Sequence, residues 1–239
     1  RPAAPVRPQH WGWAALAAGA WACLLGASLA AYRPTLAFNM ETGGFFMDDV
    51  MIRKNELVTA AELDWRRLWR TDYWGLEMFD PQTWTHKSFR PLVVLTFRWN
   101  YLLHGFDSGG FHLTNAGCHA LCSGQLLLFG RQALRLRWAW AGLLACLFAV
   151  HPVHVESICY VVGRADLLCL QLLLLAAQAY APCAAAGPRA SRGLRAWLRL
   201  LLAVLLVLAS GLCKETGFTF FGLLVIWELL GLTRAAGAR

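Results

Sequence analysis

Apolar runs long enough to cross a lipid bilayer recur along this chain, and they limit its fold more than any other feature. A membrane-spanning helix needs about 20 mostly apolar residues. Residues 11–32 meet this requirement, and a long polar insert follows at 33–111. The later apolar runs lie at about 112–134, 138–150, 160–181, 194–212 and 216–232. We therefore predict an all-α, polytopic membrane protein with six spans, the third of them short.

The composition agrees with this class. Of the 239 residues, 58% are hydrophobic and 15% are charged, whereas soluble proteins average about 45–50% apolar and about 25% charged residues. The 12 tryptophans are also typical of a chain with many membrane–water interfaces. Because the chain starts with Arg1 and stops soon after an apolar run, we expect a fragment.

Charge predicts the orientation. If residues 1–10 are a cytoplasmic tail, the turns on the same side contain arginines and no acidic residue. These arginines are Arg131, Arg135, Arg137, Arg189, Arg192, Arg195, Arg199, Arg234 and Arg239. Every Asp and Glu except Glu228 falls on the other side. This positive-inside pattern makes the end at 233–239 cytoplasmic and the 33–111 loop extracytoplasmic. It also accounts for the net charge of +8, so we expect no nucleic-acid partner.

Two segments of the long loop have the pattern of helices lying along the membrane surface. Residues 61–70 combine arginines with Trp65 and Trp69, and residues 91–104 form an apolar run that Arg98 interrupts. We expect the stem of Arg98 to be buried and its charged head to lie at the interface.

Three polar segments meet on the extracytoplasmic face, and they contain most of the candidate site residues. An adjacent acidic pair, Asp48 and Asp49, stands in the first. The motifs are FFMDD (45–49), HKSFRP (86–91), HPVHVES (151–157), GRAD (163–166) and CKETG (213–217). A carboxylate can take a proton from an attacking hydroxyl, and Lys or Arg can hold a phosphate. These residue types suit transfer from a lipid phosphate to a hydroxyl acceptor.

Longer motifs resemble a known family. FFMDD, HKSFRPLVVLTFRWNYLLHGFD, GFHLTNAGCHAL, FAVHPVHVESICYVVGRADLL and SGLCKETG are similar, in this order, to the transmembrane and tetratricopeptide-repeat-containing protein O-mannosyltransferases. The resemblance covers about residues 11–232. It implies the N-terminal part of a GT-C-type transmembrane bundle with lumenal amphipathic surface helices. The family's later spans and helical repeats are not in this sequence.

The resemblance also implies an activity and a location. Such enzymes take mannose from dolichyl phosphate mannose and attach it to Ser or Thr of cadherin-type acceptor proteins, in the lumen of the endoplasmic reticulum. The chain would be a multi-pass protein of that membrane, with a cytoplasmic N-terminus and a lumenal 33–111 loop. The implied reaction needs no metal and no cofactor other than the lipid donor.

Site residues follow by position within the matched motifs. Asp48 would be the general base, with Asp49 as the second choice. The residues implied to hold the lipid phosphate or shape the sugar pocket are Lys87, Arg90, His151, His154, Glu156, Arg164 and Lys214.

Plainer interpretations of these residues stay open at this stage. Paired acids also occur in solvated loops and at helix N-caps, and histidines beside Pro152 can simply cap a turn. Glu156 can pair with Arg164, and Lys214 with Glu215, as structural ion pairs. Cys118, His119 and Cys122 lie on adjacent helical turns, but a metal site would need a further ligand.

A second class of function also stays open, that of a non-catalytic membrane scaffold or adaptor. A transporter is disfavoured because we find neither inverted repeats nor broken helices near the midplane.

Overall fold

The polypeptide is built from α-helices joined by short 3-10 turns. A computed structural model describes residues 10–41, 43–190 and 193–230. Within these ranges the chain contains helices and no β-strand, apart from one isolated bridge between Thr71 and Glu77. The prediction of an all-α fold is confirmed. The predicted cytoplasmic end at 233–239 and residues 1–9 of the predicted tail lie outside the described residues.

Long helices coincide with the predicted spans. They are α1 (His10–Glu41), α6 (Ser108–Gln132), α7 (Trp138–Val150), α9 (Arg164–Ala190), α10 (Leu194–Gly211) and α11 (Phe220–Leu230). The first helix continues nine residues beyond the predicted span at 11–32, through Pro34. The last begins later than predicted, because a 3-10 turn, Glu215–Thr219, precedes it.

The described helices include clear candidates for crossing a bilayer. Val161–Ala185 and Leu194–Gly211 are long and apolar enough to do so. Trp138–Val150 and Pro152–Cys159 are bent by 47° relative to each other and count as a third candidate if they form one span. The chain is therefore a membrane protein, and the number of six spans stays a prediction.

Helix α6 lies at the centre of the bundle. It packs against α1, α7 and α9, while α9 packs against α10. Its buried face carries small and polar residues, among them Asn115, His119 and Ser123. Small and hydrogen-bonding residues are typical of helix–helix contacts within membranes, because they let backbones approach and give polar groups partners.

The loop between α1 and α6 folds into short helices over its own apolar core. The helices are α2 (Val50–Lys54), α3 (Glu56–Thr59), α4 (Trp65–Leu68) and α5 (Pro91–His104). The core joins Leu57, Leu68, Val93 and Phe97 to Phe111 on α6. Packing of this kind ties the loop to the membrane bundle and gives it a fixed position.

Helix α5 has the predicted bounds, with Pro91 in its first turn and Gly105 after its end. Gly105 has a φ of 60°, which lets the chain turn directly into α6. The expected position of the Arg98 head is wrong. Instead of reaching the interface, its guanidinium donates to the backbone carbonyls of Leu57, Ala60 and Ala61 at 2.7–3.2 Å.

The predicted helix at 61–70 is also wrong in extent, since α4 covers only Trp65–Leu68. Asp64 caps its start by accepting from the Arg67 amide at 3.0 Å. Beyond Leu68 the chain turns toward the bridge at Thr71. Capping and tertiary contacts here outweigh the helical spacing of the basic residues.

Candidate functional site

A cavity of about 660 Å³ opens where the three polar segments meet. Side chains from the loop before α2, from the α7–α9 connection and from the turn after α10 line it. Its charged lining residues are Asp48, Arg90, Glu156, Asp166 and Lys214, and its aromatic ones are Tyr73, Trp74 and Tyr160. The structure thus brings four of the predicted site residues together, Asp48, Arg90, Glu156 and Lys214.

The two adjacent carboxylates have opposite surroundings. Met47 has a left-handed backbone, with a φ of 48°, and opens the 3-10 turn Met47–Asp49. Asp48 is exposed and lines the cavity. Asp49 is fully buried, and its oxygens accept from the amides of Val161 at 3.1 Å and Val162 at 2.8 Å. Only Asp48 can therefore meet a ligand in the cavity.

Burial also changes the acidity of Asp49. Loss of solvation raises the pKa of its carboxyl to about 6, although the hydrogen bonds from Val162 and Val161 act in the opposite direction. Asp49 stands at the N-cap of α2, yet its side chain makes no capping bond. The N-cap interpretation therefore does not apply to it, and its partners lie 112 and 113 residues away in sequence.

Each cation of the cavity is paired with an acidic side chain. Arg90 donates through Nε and Nη2 to Glu215, at 3.2 Å for both contacts, and lies over the Tyr73 ring at 4.9 Å. Lys214 donates to Asp166 at 2.5 Å. The sequence-based alternative, a pair between Lys214 and its neighbour Glu215, is not the arrangement observed.

Arg164 lies inside the protein and not at the cavity surface. Its side chain is completely buried and donates to the Asn115 side chain and to the carbonyls of Thr96 and Phe111. The expected alternative of an ion pair with Glu156 is therefore replaced by a hydrogen-bonded site within the bundle. A buried guanidinium needs such acceptors because desolvation would otherwise oppose its charge.

The two predicted histidines lie beside the cavity. His151 accepts from the Val153 amide at 3.2 Å, which is a turn-capping contact. The His154 ring packs against Phe148 and His119, with centroids 4.2 and 5.2 Å away. Both arrangements match the plainer structural interpretation of these residues.

Lys87 is the remaining predicted residue. It lines a separate surface depression together with Phe79, Asp80 and Thr83, and its backbone has a φ of 55°. The structure therefore places it apart from Asp48, Arg90 and Lys214.

Several residues of the site were not among the sequence-based candidates. Asp166 and Glu215 stand inside the motifs GRAD and CKETG, within two residues of a basic candidate in each, so their acidic side chains are a usable signal. Tyr73 has no such signal, and Trp74 has the sequence pattern of an interfacial anchor more than that of a sugar-stacking platform. Asn115 stands inside the motif GFHLTNAGCHAL, but only the tertiary fold shows what its side chain contacts.

No group of three or more His, Cys, Asp or Glu side chains within the described ranges is arranged to hold a metal ion. The expectations that the reaction uses neither a metal nor a cofactor stay predictions. The arrangement itself offers three exposed carboxylates, Asp48, Glu156 and Asp166, and two cations around a shared space, which suits proton removal beside a bound anion.

Comparison with curated proteins gives three informative relatives. The chain is 40% identical over 204 residues to the human protein O-mannosyl-transferase TMTC4, covering 79% of this chain and 27% of that protein. It is 38% identical over 188 residues to mouse TMTC3, covering 78% and 19%. It is 35% identical over 230 residues to mouse TMTC1, covering 95% and 23%.

The chain thus spans about a fifth to a quarter of the length of these relatives. No family model matches it, and no solved structure matches it. The matches nevertheless extend over most of the chain, at 35–40% identity to several separately named proteins. Over the region that it shares with them, the chain belongs to the family of the TMTC protein O-mannosyl-transferases.

Proposed function

We propose that the full-length protein transfers mannose from dolichyl phosphate mannose to Ser or Thr of cadherin-type acceptor proteins. The names of the relatives support a sugar donor and a protein acceptor. The donor lipid and the acceptor class rest on the motif resemblance. One structural observation carries the proposal: Asp48 lines the same cavity as Arg90 and Lys214.

In the proposed reaction, the acceptor hydroxyl oxygen attacks C1 of the mannose. The new bond forms between that oxygen and C1, while the bond from C1 to the phosphate oxygen breaks. Asp48 takes the hydroxyl proton, and dolichyl phosphate leaves with the bonding electron pair. An exposed carboxylate is suited to this role because it can reach the proton and release it to solvent afterwards.

Arg90 and Lys214 would bind the donor phosphate and stabilise the charge that grows on it as its bond to C1 breaks. Both cations are paired with carboxylates in the structure. The phosphate would join or replace Glu215 and Asp166 as their partner. Pre-formed pairs keep the cations at fixed positions before the donor arrives, which reduces the ordering that binding requires.

The aromatic lining suits the sugar. Trp74 and Tyr160 lie on the cavity wall, beside Glu156, which can accept hydrogen bonds from mannose hydroxyls. Lys87, His151, His154 and Arg164 do not line this cavity, so we do not include them among its ligand-binding residues. Neither a metal nor a cofactor takes part in the proposed steps.

The proposed setting is the membrane of the endoplasmic reticulum, with the 33–111 loop in the lumen. All three polar segments that form the cavity then open to the lumenal side. This agrees with the distribution of arginines and acidic residues along the sequence.

The proposal is tested by binding of labelled dolichyl phosphate mannose to the full-length protein in detergent. We expect Arg90→Met and Lys214→Met each to weaken binding about tenfold, the size of one lost charge-assisted hydrogen bond. Arg66→Met is the matched control, because Arg66 is exposed on α4 outside the cavity.

A competition experiment shows whether the protein recognises the phosphate of the donor. Unlabelled dolichyl phosphate should displace the donor from wild-type protein, while dolichol should not. Equal binding by wild type, Arg90→Met and Lys214→Met would contradict the phosphate assignment. A full-length protein that binds acceptor proteins but neither binds nor consumes the donor would favour the alternative function of a non-catalytic membrane scaffold.

A further inference from the structure

A four-residue segment, Tyr160–Gly163, forms part of the cavity wall. Tyr160, Val162 and Gly163 all line the cavity. The segment includes the 3-10 turn Val161–Gly163 and connects α8 (Val155–Cys159) to α9. Its position therefore sets the shape of the cavity that Asp48 also lines.

The amide edge of this segment is bound by the acidic turn. Both oxygens of Asp49 accept from it, at 3.1 Å from Val161 and 2.8 Å from Val162. Asp48 directly precedes Asp49 in the chain. A displacement of the segment is thus transmitted through two hydrogen bonds to the neighbour of the proposed base.

The carbonyl edge is bound from two other elements. Asn115 on α6 donates through Nδ2 to the carbonyls of Tyr160 at 2.8 Å and Val161 at 3.3 Å. The Tyr73 hydroxyl donates to the Val162 carbonyl at 2.9 Å. The segment is therefore hydrogen-bonded on both edges to residues distant in sequence.

Arg164 fixes the direction in which the Asn115 amide points. It donates from Nε to Asn115 Oδ1 at 2.8 Å and from Nη2 to the Phe111 carbonyl at 3.0 Å. Because a guanidinium only donates, the amide must present its oxygen to Arg164 and its NH₂ group to the segment. Asn115 and Arg164 are both completely buried, so water does not replace these contacts.

We propose that Asn115 is a positioning residue for sugar transfer, which acts from within the bundle by holding Tyr160–Gly163 and, through Asp49, the turn that carries Asp48. This inference rests on the proposed function for its catalytic consequence. Asn115 does not line the cavity and touches no substrate.

The decisive variant is Asn115→Asp in the full-length protein. It keeps the side-chain volume and the acceptor for Arg164, but it removes the donor to the two carbonyls. Tyr73→Phe is a milder second variant, because it removes only the hydroxyl that holds Val162 and keeps the ring. Gln178→Met is the matched control, since Gln178 joins the same helices, α9 and α6, by hydrogen bonds to Gln125 away from the cavity.

Two readouts are needed, and the first is steady-state kinetics. We expect kcat to fall at least about tenfold in Asn115→Asp, with the KM for the donor changed less than about threefold, because misplacement of the base affects the chemical step most. Tyr73→Phe should also lower kcat more than it changes KM, but with a smaller fall in kcat. Gln178→Met should lower thermal stability and leave kcat within about twofold.

The second readout, amide hydrogen exchange, does not depend on transfer. In Asn115→Asp, exchange should become faster in both 158–163 and 46–50, whereas Gln178→Met should leave both segments unchanged. Faster exchange in 158–163 alone would overturn the coupling, and so would a kcat equal to that of the control. Wild-type protein without transfer would contradict the proposed function, while the exchange comparison would still decide whether Asn115 holds the two segments together.

Discussion

Asp49 is buried away from solvent, although the residue before it, Asp48, lines the cavity. Its two oxygens accept from the backbone amides of Val161 and Val162 between α8 and α9, and burial raises its pKa to about 6. An ordinary surface Asp has a lower pKa in the folded protein than in the unfolded chain, since its partners favour the charged form. Here the shift is upward, so the charged form is the less favoured one in the folded state.

This shift predicts an unusual pH dependence of stability. Between about pH 4 and pH 6 the folded protein holds a proton on Asp49 that the unfolded chain has lost, so stability falls as pH rises through this window. A difference of about two pKa units corresponds to about 3 kcal/mol. Asp49→Asn should remove this part of the pH dependence, which thermal unfolding of both proteins from pH 3.5 to 7 measures.

The same variant carries a cost at every pH. The Asn side chain offers one carbonyl oxygen, so one of the two buried amides loses its acceptor, at about 1–3 kcal/mol. If the stability of Asp49→Asn changed with pH in parallel to that of wild type, the raised pKa of Asp49 would be contradicted. A stability profile that lies below that of wild type at about pH 4 and is flatter between pH 4 and 6, so that the two profiles converge toward pH 7, is the expected result.

Single residues differ in how far the sequence predicts their role. Asp48, Arg90 and Lys214 were found because an exposed charge in a membrane-edge motif is a strong local signal. Arg164 looked equally favourable in its motif, yet it is buried. Its acceptors at Thr96, Phe111 and Asn115 lie 49–68 residues away in sequence, and no local pattern indicates them.

At the scale of elements, the site depends on how closely the turn before α9 approaches α8. A Cβ added at Gly163 would lie 2.6 Å from the Ser157 Cα and 2.7 Å from the Glu156 carbonyl oxygen. Both are backbone atoms, so neither can rotate aside. Glycine at this position is therefore a packing requirement of the cavity wall.

We expect Gly163→Ala to destabilise the protein by about 1–3 kcal/mol, the usual cost of forcing extra volume into a packed site. Because Gly163 and Asp48 line the same cavity, transfer should fall as well. The matched change is Gly142→Ala on α7, where an added Cβ meets nothing within 4 Å. That control should be neutral or slightly stabilising, since alanine favours a helix over glycine. Thermal unfolding of the two variants side by side measures the difference, and equal stability would contradict the packing argument.

Element boundaries follow from the sequence where local chemistry sets them. Pro91 and Gly105 delimit α5 at the predicted residues. The segment at 61–70 has helical spacing, but Asp64 and the turn toward Thr71 reduce it to α4. Spacing indicates which face a helix would present, whereas caps and long-range contacts decide how long the helix is.

At the scale of the whole molecule, the proposed reaction requires the cavity to open on the lumenal side. The described helices support a membrane protein, and the orientation rests on the arginines and acidic residues of the sequence. The chain has no Asn-X-Ser/Thr sequence of its own. A glycan at an introduced site in these 239 residues therefore reports which side of the membrane that site is on, because no native site in them can be glycosylated.

Pro81→Asn creates the sequence Asn-Gln-Thr at 81–83, on an exposed part of the loop. Such sequences are glycosylated on the lumenal side. We expect the variant to gain one glycan, seen as a mass shift that a glycosidase reverses. An acceptor tag placed ahead of Arg1 should stay unmodified. The opposite pattern would place the loop in the cytoplasm and contradict the proposed setting.

In the proposed mechanism, Asp48 is the base for sugar transfer and Asp49 holds the turn that carries it. The direct measurement is mannose transfer by the full-length protein from labelled dolichyl phosphate mannose to a cadherin domain, with wild type, Asp48→Asn and Asp49→Asn matched for expression and insertion. We predict that Asp48→Asn loses transfer by at least about 100-fold, the typical contribution of a general base, while it still binds the donor. Asp49→Asn should keep measurable transfer at pH values where it remains folded. Normal transfer by Asp48→Asn would contradict the account, since the base would then lie elsewhere.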